Sequence, residues 1–163
     1  MSLNGALHQL DSHGKYPEEY PRAIPPVTSL IPHRGPMLLV DMVVEFSDMN
    51  LIATHKVSKE PFWATGHFPA PIGPIMPGVL IVEAMAQAAG CHAKLTCCRN
   101  AKKGFLVGID GTRFYATVVP RDILELAALR VRGRGGYHVY ETTVKRGREL
   151  VAKAVLQIQT SSE

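Results

Sequence analysis

Between Val79 and Gly90 the chain carries only two polar side chains, Glu83 and Gln87. Val79, Leu80, Val82, Ala84, Met85, Ala86, Ala88 and Ala89 cover the whole circumference of a helix drawn through them. A helix that is apolar all round is buried on most sides, so the rest of the chain has to wrap it. Pro77-Gly78 opens this helix and it is predicted to run to about Cys97. The apolar run from Val79 to Cys91 is too short to span a bilayer and contains an acid, so no membrane role is expected.

The wrapping material is strand-like. Met37 to Phe46 is a β-rich run broken by Asp41, and Leu51 to Val57 follows the turn formers Ser47 to Asn50. Residues 60–77 form a loop punctuated by Pro61, Pro69, Pro71, Pro74 and Pro77. Phe105 to Ile109 and Arg113 to Val119 read as two short strands around Asp110-Gly111. Ile123 to Val131, Tyr137 to Val144 and Leu150 to Gln159 alternate in part, with turns at Gly133 to Gly136 and Arg146 to Arg148. One helix followed by an antiparallel meander is α+β, with a curved sheet around the helix.

At 163 residues and 46% hydrophobic content the chain has room for one core, assigned to residues 27–163. Residues 1–26 are polar, rich in Gly, Pro and charge, and are expected to be a flexible N-terminal arm. The start has neither a basic segment nor an apolar one behind it, and no secretory leader is expected. Cys91, Cys97 and Cys98 are odd in number, which predicts reduced thiols and a cytoplasmic location. The net charge of +4 fits an acidic protein partner, an anionic cofactor or nucleic acid equally well. Arg132 to Gly136 is a hairpin turn rather than a nucleic-acid motif, so no nucleic-acid partner is expected.

Glu83 is the chemical anomaly. Desolvation disfavours a carboxylate in such a run, so its pKa is expected to rise and the group to be able to donate a proton. Gln87 lies one turn on, roughly 6 Å along the axis and on the same face. His67, in the proline-rich loop, can take a proton near neutral pH. The first turn of the helix at Gly78 offers free N–H groups to an oxygen gaining negative charge. Base, acid and oxyanion donor together suit β-elimination of water next to a thioester. His33 is expected to anchor the turn into the first strand and Arg34 to make a structural ion pair. His55 and His138 are expected to face solvent. His92 with Cys91, Cys97 and Cys98 lacks paired metal-ligand spacing, and no metal site is expected.

From about Leu30 to Gln157 the chain resembles the β-hydroxyacyl-acyl carrier protein dehydratases of the FabZ type, which have a hot-dog fold. The matching segments are Ile31-Pro32-His33-Arg34, Leu38 to Asp41, Gly66-His67-Phe68-Pro69, Pro74 to Gly78, Val79 to Gln87, Val107 to Asp110, Arg113-Phe114 and Val118-Val119-Pro120. The resemblance implies His67 and Glu83 as the catalytic pair and the Gly78 N–H as holder of the thioester oxygen. Glutamate rather than aspartate on the helix implies dehydration alone. Gln87 belongs to the implied binding surface, and Phe105 is either a gate to the acyl pocket or an ordinary core residue. An acyl carrier protein bearing its substrate on phosphopantetheine is the implied partner, with no other cofactor. The resemblance also implies a homodimer, assembled further into a trimer of dimers, in which His67 and Glu83 come from different chains. Three departures stand out. Four residues, Ala70 to Gly73, replace a two-residue link; Tyr115-Ala116-Thr117 follows Phe114; and Arg121 stands where the family carries glycine. A non-catalytic acyl-thioester-binding module and a hot-dog thioesterase are the competing readings.

Overall fold

The computed structural model describes residues 24–68 and 71–161, so the expected arm lies outside the described residues up to position 23. Ile24 already packs against the core. Helix α1 (Val27–Leu30) and a 3-10 turn (Gly35–Met37) precede strands β1 (Met42–Phe46) and β2 (Asn50–Lys56). Helix α2 (Gly78–Leu95) follows the proline loop, and then come β3 (Lys103–Phe114), β4 (Ile123–Arg134), β5 (Tyr137–Arg146) and β6 (Glu149–Ser161). The strands form one antiparallel sheet in the order β1-β2-β4-β5-β6-β3. The α+β hot-dog architecture is therefore as the sequence predicts. Among the described residues no helix is long and apolar enough to cross a membrane.

Period-two alternation turns one face of the sheet onto α2. Leu51 and Ala53 of β2 lie opposite Ala128 and Leu126 of β4, and Thr142 and Val144 of β5 lie opposite Ala154 and Ala152 of β6. All are buried. The same parity places His55 and His138 on the inner face, where both are buried rather than solvent-facing as expected. His55 Nδ1 sits 3.5 Å from an oxygen of Asp41. Burial pushes the Asp41 carboxyl up, but the neighbouring His55 ring and the hydrogen bond from the Lys56 N–H outweigh it and hold the group below its ordinary value. His92 is fully buried, with Nε2 3.1 Å from the Ser47 carbonyl and Nδ1 3.0 Å from the Tyr140 hydroxyl. A carbonyl only accepts, so Nε2 carries the proton and Nδ1 accepts from Tyr140.

β3 departs from expectation. It is a single strand with a bulge between Asp110 and Arg113, where Gly111 adopts a φ of +57°. It ends at Phe114, so the predicted strand to Val119 is a loop, tied by Arg146 to Asp122 at 2.6 Å and by the Asp122 carboxylate to the Val119 N–H at 2.9 Å. Within that loop Arg121 has a φ of +76°, a left-handed conformation that favours glycine. β3 lies at the sheet edge, and none of its residues is buried.

Candidate active site

Helix α2 is not sealed all round. Leu80, Glu83, Ala86, Gly90 and Lys94 form a half-buried stripe along it. Part of that stripe floors a slot of about 130 Å³, walled by His33, Phe105 and Leu106 and running on to Cys98 and Thr160. Small side chains at Ala86 and Gly90 leave this space open, which hydrophobicity alone does not signal.

Glu83 opens into the slot with about a quarter of its side chain exposed (26%), so it is less buried than expected. Its Oε1 accepts from Gln87 Nε2 at 3.0 Å and lies 3.1 Å from His33 Nε2. Gln87 is buried, and its amide is fully engaged: Nε2 also donates to the Met37 carbonyl at 2.7 Å, and Oε1 accepts the Leu39 N–H at 2.8 Å. Each of those partners fits only one end of the amide, so its orientation is set and the hydrogen it offers Glu83 is aimed. The segment before β1 is thereby pinned to the helix. His33 does not serve only as a turn anchor; it is the second neighbour of the carboxylate. Arg34 makes no ion pair among the described residues. It donates instead to the carbonyls of Thr28, Ile31 and His33, and so holds the stretch that presents His33. The missed signal lay in Ile31-Pro32-His33-Arg34, a stiff segment with no periodicity of its own.

Gly78 begins α2 after the cap at Pro77, which makes no side-chain cap bond, and no backbone hydrogen bond from the Gly78 N–H is formed among the described residues. A Cβ there would stand 2.9 Å from Cζ of Phe114, so any larger residue at this point would have to push the half-exposed ring aside. Phe105 is more than half exposed in the single chain and lines the slot, so it is no part of this chain's own core.

His67 stands apart from this group. Its Nδ1 lies 2.7 Å from the Ile75 carbonyl and therefore carries the proton, leaving the Nε2 lone pair free. Its ring meets Phe68 edge-on at 4.5 Å, and Phe68 itself holds a left-handed φ of +54°. No hydrogen bond or ion pair joins His67 to Glu83, and His67 does not line the slot. Within one chain the expected pair is not assembled. Pro71 and Ile72 form an exposed turn with Gly73 at a φ of +90°, while Pro69 and Ala70 lie outside the described residues.

A buried helix that presents a carboxylate to a slot under a six-stranded antiparallel sheet defines a hot-dog protein with acid–base potential. Residues 31–155 match the FabA-like domain, and the chain belongs to that family. It is 42% identical over 133 residues to the 3-hydroxyacyl-[acyl-carrier-protein] dehydratase FabZ of Agrobacterium fabrum (strain C58 / ATCC 33970), covering 78% of this chain and 82% of that protein. It is 42% identical over 134 residues to FabZ of Streptococcus pyogenes serotype M5 (strain Manfredo), covering 80% and 92%. The dehydratase heterocomplex ApeI:P from Xenorhabdus doucetiae matches with a TM-score of 0.70 at 21% identity, over 83% of this chain and 91% of that one, a likeness of fold.

Proposed function

We infer that this chain is a 3-hydroxyacyl-[acyl-carrier-protein] dehydratase of fatty-acid biosynthesis, which removes water to leave the trans-2-enoyl thioester. The observation that carries the reading is Glu83, held by Gln87 and His33 at the mouth of an apolar slot, in a chain 42% identical to FabZ enzymes.

In the proposed reaction the Gly78 N–H bonds the thioester oxygen, which makes the C2 proton easier to remove. His67 Nε2 takes that proton. The C2–H electron pair becomes the C2–C3 π bond as the C3–O bond breaks. Glu83, entering as the acid, gives its proton to the departing hydroxyl, which leaves as water. His67 then holds one proton too many and Glu83 one too few, and exchange with solvent restores both. His33 and Gln87 position the carboxyl through Oε1.

A second copy of the chain completes the site in this reading, bringing one chain's His67 to the other chain's Glu83, with a trimer of dimers as the final assembly. An acyl carrier protein presents the substrate on phosphopantetheine, and no further cofactor enters. Lys102 and Lys103 beside the slot offer positive charge to that acidic carrier and its phosphate. A cytoplasmic setting goes with this substrate.

Hydration of a crotonyl thioester, the reverse reaction, tests the inference. Loss of the enoyl absorbance with no release of free thiol supports the dehydratase. Thiol release would make the chain a thioesterase, and no turnover on any acyl length would make it a binding module.

A further inference from the structure

Behind the slot, where α2 ends against β5, the structure gathers three soft ligands. The thiols of Cys97 and Cys98 lie 3.8 Å apart. Cys98 Sγ is 3.1 Å from His138 Nε2, and Cys97 Sγ is 3.8 Å from His138 Nδ1. One ligand atom from each residue lies within 4.8 Å of the other two. The spacing wanted by a tetrahedral Zn2+ follows from its bond lengths: about 3.8 Å between two sulfurs and about 3.5 Å between sulfur and nitrogen. The sulfur pair already has that separation, and Cys98 Sγ to Nε2 is about 0.4 Å short of the sulfur–nitrogen value; the ring offers an ion one nitrogen, so with Nε2 as ligand the Cys97 thiol, which faces Nδ1, turns toward Nε2 on binding.

We propose that Cys97, Cys98 and His138 form a three-ligand site for a thiophilic divalent cation of the Zn2+ class. Two thiolates and one imidazole select such ions over Mg2+ or Ca2+, which prefer oxygen. Two thiolates also neutralise a divalent charge. The metal replaces the two thiol protons, which pass to solvent, so the step is a ligand exchange with no change in oxidation state. Cys97 and Cys98 border a surface recess with Thr96, Asn100 and Gly136, from which a water can reach the ion as a fourth ligand. Gly133 leaves room for the ring: a Cβ there would lie 2.6 Å from His138 Nδ1.

His92, the histidine nearest these cysteines in sequence, is committed to Tyr140 and Ser47 and stays out of the cluster. The histidine that joins them comes from β5, so a bound ion would tie the end of α2 to the sheet.

The test uses the full reduced chain, stripped with a chelator and titrated with Co2+ as a spectroscopic stand-in, then with Zn2+. One Co2+ per chain is expected, with thiolate-to-metal charge-transfer and tetrahedral d–d bands that Zn2+ bleaches. Cys98→Ser and His138→Gln should each weaken Zn2+ binding at least about tenfold, while Cys91→Ala, which changes a thiol outside the cluster, leaves it unchanged. Alkylation of the exposed Cys97 thiol in the unaltered protein, which needs no variant to fold, should slow when Zn2+ is added. Absence of the charge-transfer band would overturn the proposal, as would equal binding in the Cys98→Ser and His138→Gln variants or an alkylation rate indifferent to Zn2+.

Discussion

Both contacts to Glu83 reach a single oxygen, Oε1, and they come from residues of different character. Gln87 is locked by two backbone groups, whereas His33 is held only by the stretch that carries it. If Glu83 carries the proton, Glu83→Gln should cost about 10²–10⁴-fold in kcat with an unchanged melting transition. His33→Ala removes one aimed hydrogen and should cost only about tenfold. Equal losses would make His33 a direct participant in proton transfer. Glu83 and Gln87 are legible in the sequence because an interrupted apolar run makes them conspicuous and their spacing puts them on one face. His33 is not, since its contact is made across the fold. His55 and His138 could have been placed inside by counting strand parity from Leu51 and Tyr140. A second residue-scale consequence concerns pH. Burial pushes His92 down to about 4, from an ordinary value near 6.5. The unfolded chain protonates this ring as the pH falls through 6.5, and the folded chain resists until about 4, so the stability that the neutral ring confers is lost across that window. Denaturant midpoints should report a loss of about 2 kcal/mol from this group between pH 7 and pH 5. His92→Gln should flatten that part of the profile, and an unaltered slope would show that the acid sensitivity lies elsewhere.

At the scale of elements, α2 and the four strands β2, β4, β5 and β6 follow from periodicity, and their predicted bounds fall close to the observed ones. β3 and the loop after it do not. Asp110-Gly111 looks like a turn between two strands, yet in an antiparallel pair the same residues can form a bulge that lets one strand continue. The run from Tyr115 to Val119 has strand composition, but only its start stays with the sheet, the Tyr115 N–H donating to the Val151 carbonyl of β6 at 2.8 Å; further on, the Met76 N–H donates to the Val118 carbonyl at 2.8 Å, joining this loop to the segment that leads into α2. Arg121, near the end of the loop, holds a left-handed conformation that glycine adopts more readily than arginine. Arg121→Gly should therefore raise stability by up to about 1 kcal/mol, read as a higher urea midpoint at constant m-value. A lower midpoint would mean that the arginine side chain contributes more than its backbone strain costs.

Over the whole molecule, the two edges of the sheet are unequal. β1 is short, as edge strands commonly are, but β3 is more than twice as long and leaves Phe105, Val107 and Ile109 more than half exposed. The same strand walls the slot, and the candidate base His67 lies away from the candidate acid Glu83 in the single chain. In the proposed dimer a second copy docked on this edge would cover the apolar strand and bring its His67 toward this chain's Glu83. The proposed assembly is only partly legible in sequence, because periodicity describes what one chain buries within itself. Subunit complementation tests it most directly. His67→Ala and Glu83→Gln chains are purified separately, each nearly inactive on crotonyl thioester, then mixed, unfolded and refolded together. If each site takes its histidine from one chain and its glutamate from the other, half of the randomly formed dimers hold one intact site, and activity should return to about a quarter of that of the unaltered enzyme. A mixture as inactive as its components, with dimers formed, would contradict the shared site.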